Sequence, residues 1–263
     1  MKKLLLASIC MMLCCSIFAY NPSSGGEFFY LLGTPNLLSD GISAAGGALL
    51  DVTAANIALN PALTADEERF TLDAGYSALI GGTGSGPRFG SAFHLGAVYP
   101  TTYGVLSGAL QGLFSFSKGL DLGGSVTLRI GFSKEVGQSL LLGADLAFTG
   151  GSAFSFFGDL GAVWKVGTIS FLPFMKDVRL GFAFTELGIP FRYNSKSALN
   201  PAAGNIAFPG MITPRLGFAG TFLDVASVKS GLSLDFAFPS FQNLVFSSGV
   251  QLLIKDIVRL RME

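Results

Sequence analysis

The sequence predicts an all-β protein: an antiparallel transmembrane β-barrel, preceded by an export signal and a short helical segment. Three observations carry this. Half of the residues are hydrophobic and only 13% are charged, with a mean hydropathy of +0.55. Beyond the amino terminus, no stretch offers the 18 or more unbroken apolar residues of a membrane helix. Glycine (35) and phenylalanine (25) are abundant, and from residue 70 onward apolar side chains recur at every second position. Apolar residues spread at period two over many strands reconcile the three.

The amino terminus reads "MKKLLLASICMMLCCSIFAY". Lys2 and Lys3 form a basic region, Leu4 to Phe18 an apolar one, and Ala19 suits cleavage, so residues 1–19 are expected to be a secretory signal peptide. A retained anchor, or lipidation at Cys14 or Cys15, are the alternatives. All three cysteines (Cys10, Cys14, Cys15) lie in this stretch. Cleavage after Ala19 would leave neither a disulfide framework nor a catalytic thiol.

Residues 20–68 do not alternate. "SAAGGALLDVTAANIALNPAL" has helix-like spacing around Leu49, Val52, Ile57 and Leu59. Asp51 is placed to cap a short turn, and Pro61 is expected to end it by removing a donor and restricting Asn60.

From residue 69 the chain is expected to be barrel. Alternation predicts about eleven strands: 70–79, 91–99, 103–115, 121–133, 139–149, 153–165, 178–186, 213–223, 230–238, 243–254 and 257–263. "GGTGSGP" (81–87), "FSKG" (116–119) and "TGGS" (149–152) punctuate them as turns. A short strand at 168–174 is the obvious candidate for a twelfth, because bacterial barrels normally have an even count. The connection 187–212 is polar and broken by proline, as expected of an extracellular loop. The alternation stops at "DIVRLRME" without a terminal aromatic. This points to a barrel truncated of further strands, or completed by another copy.

The charges obey the alternation. In "LGGSVTLRIGF", Leu122, Gly124, Val126, Leu128, Ile130 and Phe132 share one face and Arg129 lies on the other. Val178, Leu180, Phe182 and Phe184 likewise oppose Arg179; Leu216, Phe218, Gly220 and Phe222 oppose Arg215. Asp145, Asp159 and Asp235 also sit opposite apolar faces. A charge facing lipid at mid-membrane costs about 2–4 kcal/mol, which accounts for the cleared faces. Arg129, Arg179 and Arg215 are therefore expected to face a lumen and to pair across it with Asp145, Asp159 and Asp235. A soluble sandwich also alternates, but its outer face carries more charge than the Gly, Ser, Thr and Ala seen here.

Little else carries chemistry. A net charge of zero argues against nucleic-acid binding. The single histidine, His94, lies on a polar strand face and reads as a network residue rather than a catalyst. "GTGSG" (82–86) precedes no helix that would bind an anion, and no GxSxG elbow occurs. The clump Asp66, Glu67, Glu68 reads as a solvated turn at the membrane boundary, with a calcium or gating contact as the sharper alternative. Trp164 and Tyr99 suit an interfacial aromatic girdle. No catalytic residue, metal ligand or cofactor is expected, and a second "ALNPA" at 198–202 reads as loop.

The order of these features resembles a known family. A small-residue stretch ending in "NPAL" (60–63) precedes the first strand, followed by "FFGDLGAVW" (156–164), "DVRLGFAFTELGIPFRY" (177–193), "TPRLGFAGTF" (213–222) and "SSGVQLLIKDIVRLR" (247–261). This resembles the FadL-type long-chain fatty-acid transporters of the outer membrane, and most closely their PorV/PorQ-like and spirochaete uncharacterised (UPF-type) relatives. The resemblance implies a fourteen-stranded barrel with an amino-terminal hatch (residues 20–68) folded inside. Asn60, Pro61 and Ala62 would form the gate motif. It implies uptake of hydrophobic small molecules such as fatty acids by movement of the hatch, with membrane lipid and the ligand as partners. The alternatives are a PorV-like anchor or assembly protein, with self-association or an envelope protein as partner, and a degenerate truncated paralogue.

Overall fold

The computed structural model describes residues 42–47, 49, 52–83, 86–115, 124–151, 153–169, 174–189, 192–193, 212–225, 227–241, 244–255 and 257–262. The expected signal peptide, Asp51, the "FSKG" turn and the second "ALNPA" lie outside these residues.

The chain is all-β. Its strands are β1 (Thr71–Thr83), β2 (Gly86–Pro100), β3 (Val105–Ser115), β4 (Ser125–Val136), β5 (Leu140–Gly151), β6 (Ala153–Gly167), β7 (Lys176–Gly188), β8 (Arg192–Tyr193), β9 (Thr213–Val225), β10 (Val228–Ala237), β11 (Val245–Ile254) and β12 (Val258–Met262). Eleven of them follow one another in one antiparallel sheet, while the two-residue β8 pairs with β6. No ladder among the described residues joins β12 to β1. No helix among them is long and apolar enough to cross a membrane, which says nothing of strands.

Several boundaries differ from the sequence expectation. Gly81–Thr83 extend β1 and Gly86–Pro87 begin β2, so the expected glycine-rich turn shrinks to residues 84–85. Thr149–Gly151 likewise belong to β5. Ladder hydrogen bonds use the backbone alone, so pairing runs on past the last apolar side chain. Of 168–174, Thr168 forms a bend, Ile169 a single bridge and Phe174 a turn, while residues 170–173, the middle of the expected short strand, lie outside the described residues. Most of the 187–212 connection lies outside the described residues, with β8 inside it.

Burial along the strands is inverted relative to a soluble protein. In β4, Arg129 is 1% exposed and its neighbour Ile130 is 55% exposed. Leu128, Phe132, Leu146, Phe148, Leu160 and Trp164 also point outward. Thr127, Ser133, Asp145, Thr149 and Asp159 are buried. Val178, expected outside, is fully buried, because register shifts on both sides of β7 rotate its first residues.

The sheet curls around the described residues of the 42–66 segment. Leu49 N donates to Gln251 Oε1 on β11 (2.9 Å), and Ala54 N donates to Asp73 Oδ1 on β1 (3.0 Å). Five residues of chain span at most ~18 Å. In a flat sheet the nine ladder spacings from β1 to β11 would separate those strands by about 43 Å. Two side chains make up only part of the difference, so the wall must bend back on itself.

Candidate functional site

The site is the contact between this internal segment and the wall. The segment forms two 3-10 turns, Ala54–Ala58 and Pro61–Asp66. Thr53 stands at the start of the first turn, where Asn56 Oδ1 accepts from Thr53 Oγ1 at 2.8 Å. Pro61 does not end this turn. It begins the second, at the first position, where a missing N–H costs nothing and the fixed φ is already suitable. Asn60 caps that second turn: its Oδ1 accepts from Ala62 N at 2.9 Å.

Asn60 is also the main polar link to the wall. Its Nδ2 donates to Ala44 O (2.7 Å) within the segment, and to Ala162 O on β6 (3.2 Å) and Phe182 O on β7 (3.4 Å). One fully buried side chain thus joins the two halves of the segment to two strands. Pro61 and Ala62 lie beside it, buried, and Ala62 packs with Leu63, Leu141 and Val163.

The wall makes room with glycine. A Cβ at Gly143 would overlap the Pro61–Ala62 backbone, and one at Gly161 would overlap the Asn60 carboxamide. At Gly181 and Gly217 it would meet the Ala44–Ala45 backbone. Gly143 pairs with Gly161 and Gly181 with Gly217 across their ladders, giving two flat patches on which the segment rests. Alanines at 44, 45, 54, 55, 58 and 62 complete the close approach. Beside Leu63, Leu141 and Val163 a cavity of about 10 Å³ remains, room for roughly one water.

The six charged residues expected to face a lumen are all on the inner face, but they pair along the wall rather than across it. Arg129 on β4 binds Asp145 on β5 (Nη1–Oδ2 3.1 Å) and Asp159 on β6, and stacks 4.9 Å over Phe157. Arg215 on β9 binds Asp235 on β10 at 2.8 Å, and Asp235 also accepts from Ala44 N at 2.8 Å. Arg179 donates to Gly47 O at 2.6 Å, so it holds the segment. The nearest partners of these charges lie on neighbouring strands and on the segment itself.

Sequence reading missed four contributors. Asp73 accepts from Ala54 N and lies 2.6 Å from His94 Nε2. Gln251 holds Leu49. Ser133 meets Thr64, Oγ to Oγ1, at 2.8 Å. The backbone N–H of Glu186 donates to Asp159 Oδ1 (2.6 Å), and its Oε2 accepts from Thr213 (3.3 Å). Each is a polar residue on an inner face, a signal present in the alternation, but only the fold shows which of them meet the segment. At the segment's exit, Asp66 binds Lys165, which also binds Glu135 at 3.2 Å; Glu67 accepts from Arg69. Glu68 is exposed. Among the described residues no group of three His, Cys, Asp or Glu side chains is arranged to hold a metal ion.

Comparison with known families, curated proteins and solved structures finds no match for this chain.

Proposed function

We propose that this chain is an outer-membrane β-barrel of FadL type, plugged by residues 42–66, which passes hydrophobic small molecules such as long-chain fatty acids when the plug shifts. The observation that carries the reading is the inverted burial, with Ile130 outside and Arg129 inside on adjacent positions of one strand. In lipid that arrangement is stable; in water it would expose a continuous apolar surface. Membrane lipid is thus the first partner.

The longest connections suggest the orientation. Thr101–Gly104 and the connections 137–139, 168–175 and 226–227 lie at one end, with exposed Tyr99, Tyr103 and Trp164 nearby. The two longest, 116–124 and 189–212, lie at the other, which also holds the short 84–85 and 152. Long loops are extracellular in such barrels, which assigns the first end to the periplasm. The segment leaves through that end at Asp66–Phe70. A plug with room for one water beside it argues for gated passage, not a diffusion pore. The apolar cargo rests on the family resemblance and on the small apolar lining between plug and wall.

A second reading is favoured by the paired charges on the inner face and the small space beside the plug: an envelope anchoring or assembly protein that moves no cargo. Two measurements separate the readings. Heat-modifiable migration of the purified chain in detergent tests the barrel, and a lack of any compact species rejects both. Binding of a fluorescent fatty acid, displaced by unlabelled fatty acid and altered by Asn60→Ala, supports uptake. Absence of displaceable binding in a folded barrel moves the assignment to the anchor.

A further inference from the structure

We propose that Ser107, Arg129 and Asp145 form a binding site for an uncharged hydroxyl head group, one step beyond the plug on the inner face. The inference rests on the uptake reading and names the head that such a cargo carries: an alcohol, or a carboxylic acid in its protonated form.

The position follows from register. Ser133 and Gly143 are cross-strand partners that meet the plug, at Thr64 and at the Pro61–Ala62 backbone. Gly161, opposite Gly143, meets Asn60. Side chains return to one face at every second residue. The next inner row, away from the exit at Asp66, therefore holds Ser107, Gly131, Asp145 and Asp159, paired in that order across β3 to β6. Arg129 lies one step further on β4 and reaches back to both carboxylates. Glu186 adjoins the row through its N–H on Asp159.

Three polar atoms in this row and its neighbour are buried without a partner: Ser107 Oγ, Arg129 Nε and Asp145 Oδ1. Their residues are only 5%, 1% and 4% exposed. Glycine at 131 lets them converge, since a Cβ there would stand 2.6 Å from Ser107 Oγ and 3.3 Å from Asp145 Cβ. A buried polar atom is costly unless something bonds it, so three in one place mark a site for a polar guest. Their chemistry selects the guest. Arg129 Nε–H only donates, the Asp145 carboxylate only accepts, and the Ser107 hydroxyl does both. A guest hydroxyl accepts from Arg129 Nε, donates to Asp145 Oδ1 and has Ser107 as a further partner. An ionised carboxylate has no hydrogen for Asp145. It would also face Asp145, Asp159 and Glu186 beside an arginine that already serves two of them. An ammonium has no lone pair for Arg129 Nε–H. The plug abuts the adjacent row at Thr64 and Pro61, so its shift is what brings a head group to these atoms.

The test uses the full chain in lipid vesicles, with heat-modifiable migration to show that it is folded. Two photo-crosslinking probes of equal chain length carry a diazirine beside the head: a long-chain alcohol, and the matching carboxylate at alkaline pH, where it is ionised. Mass spectrometry maps the labelled residues. The alcohol is expected to label the inner face of β3–β5, to be displaced by unlabelled alcohol, and to exceed the carboxylate by ~10-fold or more, because like charges repel. Ser107→Ala should lower alcohol labelling by about fivefold through the lost hydrogen bond. Asp145→Asn keeps an acceptor but removes a charge, so the preference for alcohol should narrow to within about threefold. That ratio keeps the test decisive if Ser107→Ala does not fold. Carboxylate labelling equal to or above that of the alcohol overturns the hydroxyl site and leaves uptake standing. So does a preference for alcohol that ignores both variants. If neither probe gives displaceable labelling of the inner face in a folded barrel, the uptake reading falls and the site with it.

Discussion

The carboxamide of Asn60 occupies the space in which residue 161 would carry a Cβ, so Asn60 and Gly161 form one fitted contact between plug and wall. Gly161→Ala is therefore expected to displace the plug and to cost about 1–3 kcal/mol by overpacking. Gly150→Ala, where a Cβ meets nothing within 4 Å, should stay within about 0.5 kcal/mol. Urea unfolding in vesicles, read by tryptophan fluorescence of Trp164, compares the two. Equal effects at both sites would remove the fitted contact from the account.

Asn60 also tests the cap. Asn60→Ala leaves Ala44 O, Ala162 O and Phe182 O short of a donor and Ala62 N short of an acceptor. A loss of about 2 kcal/mol is expected. Asn60→Asp keeps the cap but sets a carboxylate against three carbonyl oxygens, so it should be at least as damaging. If Asp restores stability relative to Ala, the cap outweighs the wall contacts and the plug is held elsewhere.

Arg129 lies between two buried carboxylates, Asp145 and Asp159. Arg129→Met strands both, and breaking a buried ion pair from one side costs about 3–5 kcal/mol. The triple variant Arg129→Met, Asp145→Asn, Asp159→Asn should recover much of that loss, because the uncompensated charge goes with the arginine. Additive losses in unfolding experiments would show that the three do not act as a unit.

The outer face gives the sharpest separation of membrane from soluble protein. Ile130→Arg on a lipid-facing strand should cost about 2–4 kcal/mol in vesicles. The same change at an exposed position in water would fall within about ±0.5 kcal/mol. A neutral result, measured by folding equilibrium in vesicles, would place this face in water.

How much of this was legible beforehand depends on the kind of contact. Strand existence and face came through because period-two alternation is a local property: Arg129 and Ile130 are adjacent in the chain and opposite on the sheet. Boundaries were less legible, since Gly81–Thr83 pair through backbone without an apolar signal. Val178 was assigned to the wrong face because a bulge is set by the neighbouring strands. Pro61 was read as a stop because proline's lost donor is equally suited to the first position of a new turn.

The amino-acid sequence by itself determined an all-β chain with apolar and polar faces sorted at period two, and a non-alternating segment ahead of the first strand. Those are consequences of the free energy of placing each side chain in lipid or away from it. Only the tertiary structure decided that Asp73, Gln251 and the paired glycines 143 and 161 all receive one short segment, and that the inner charges pair along the wall. Such contacts join residues tens to two hundred positions apart, and they exist only once the sheet has curled to bring its first and last long strands to the same few residues.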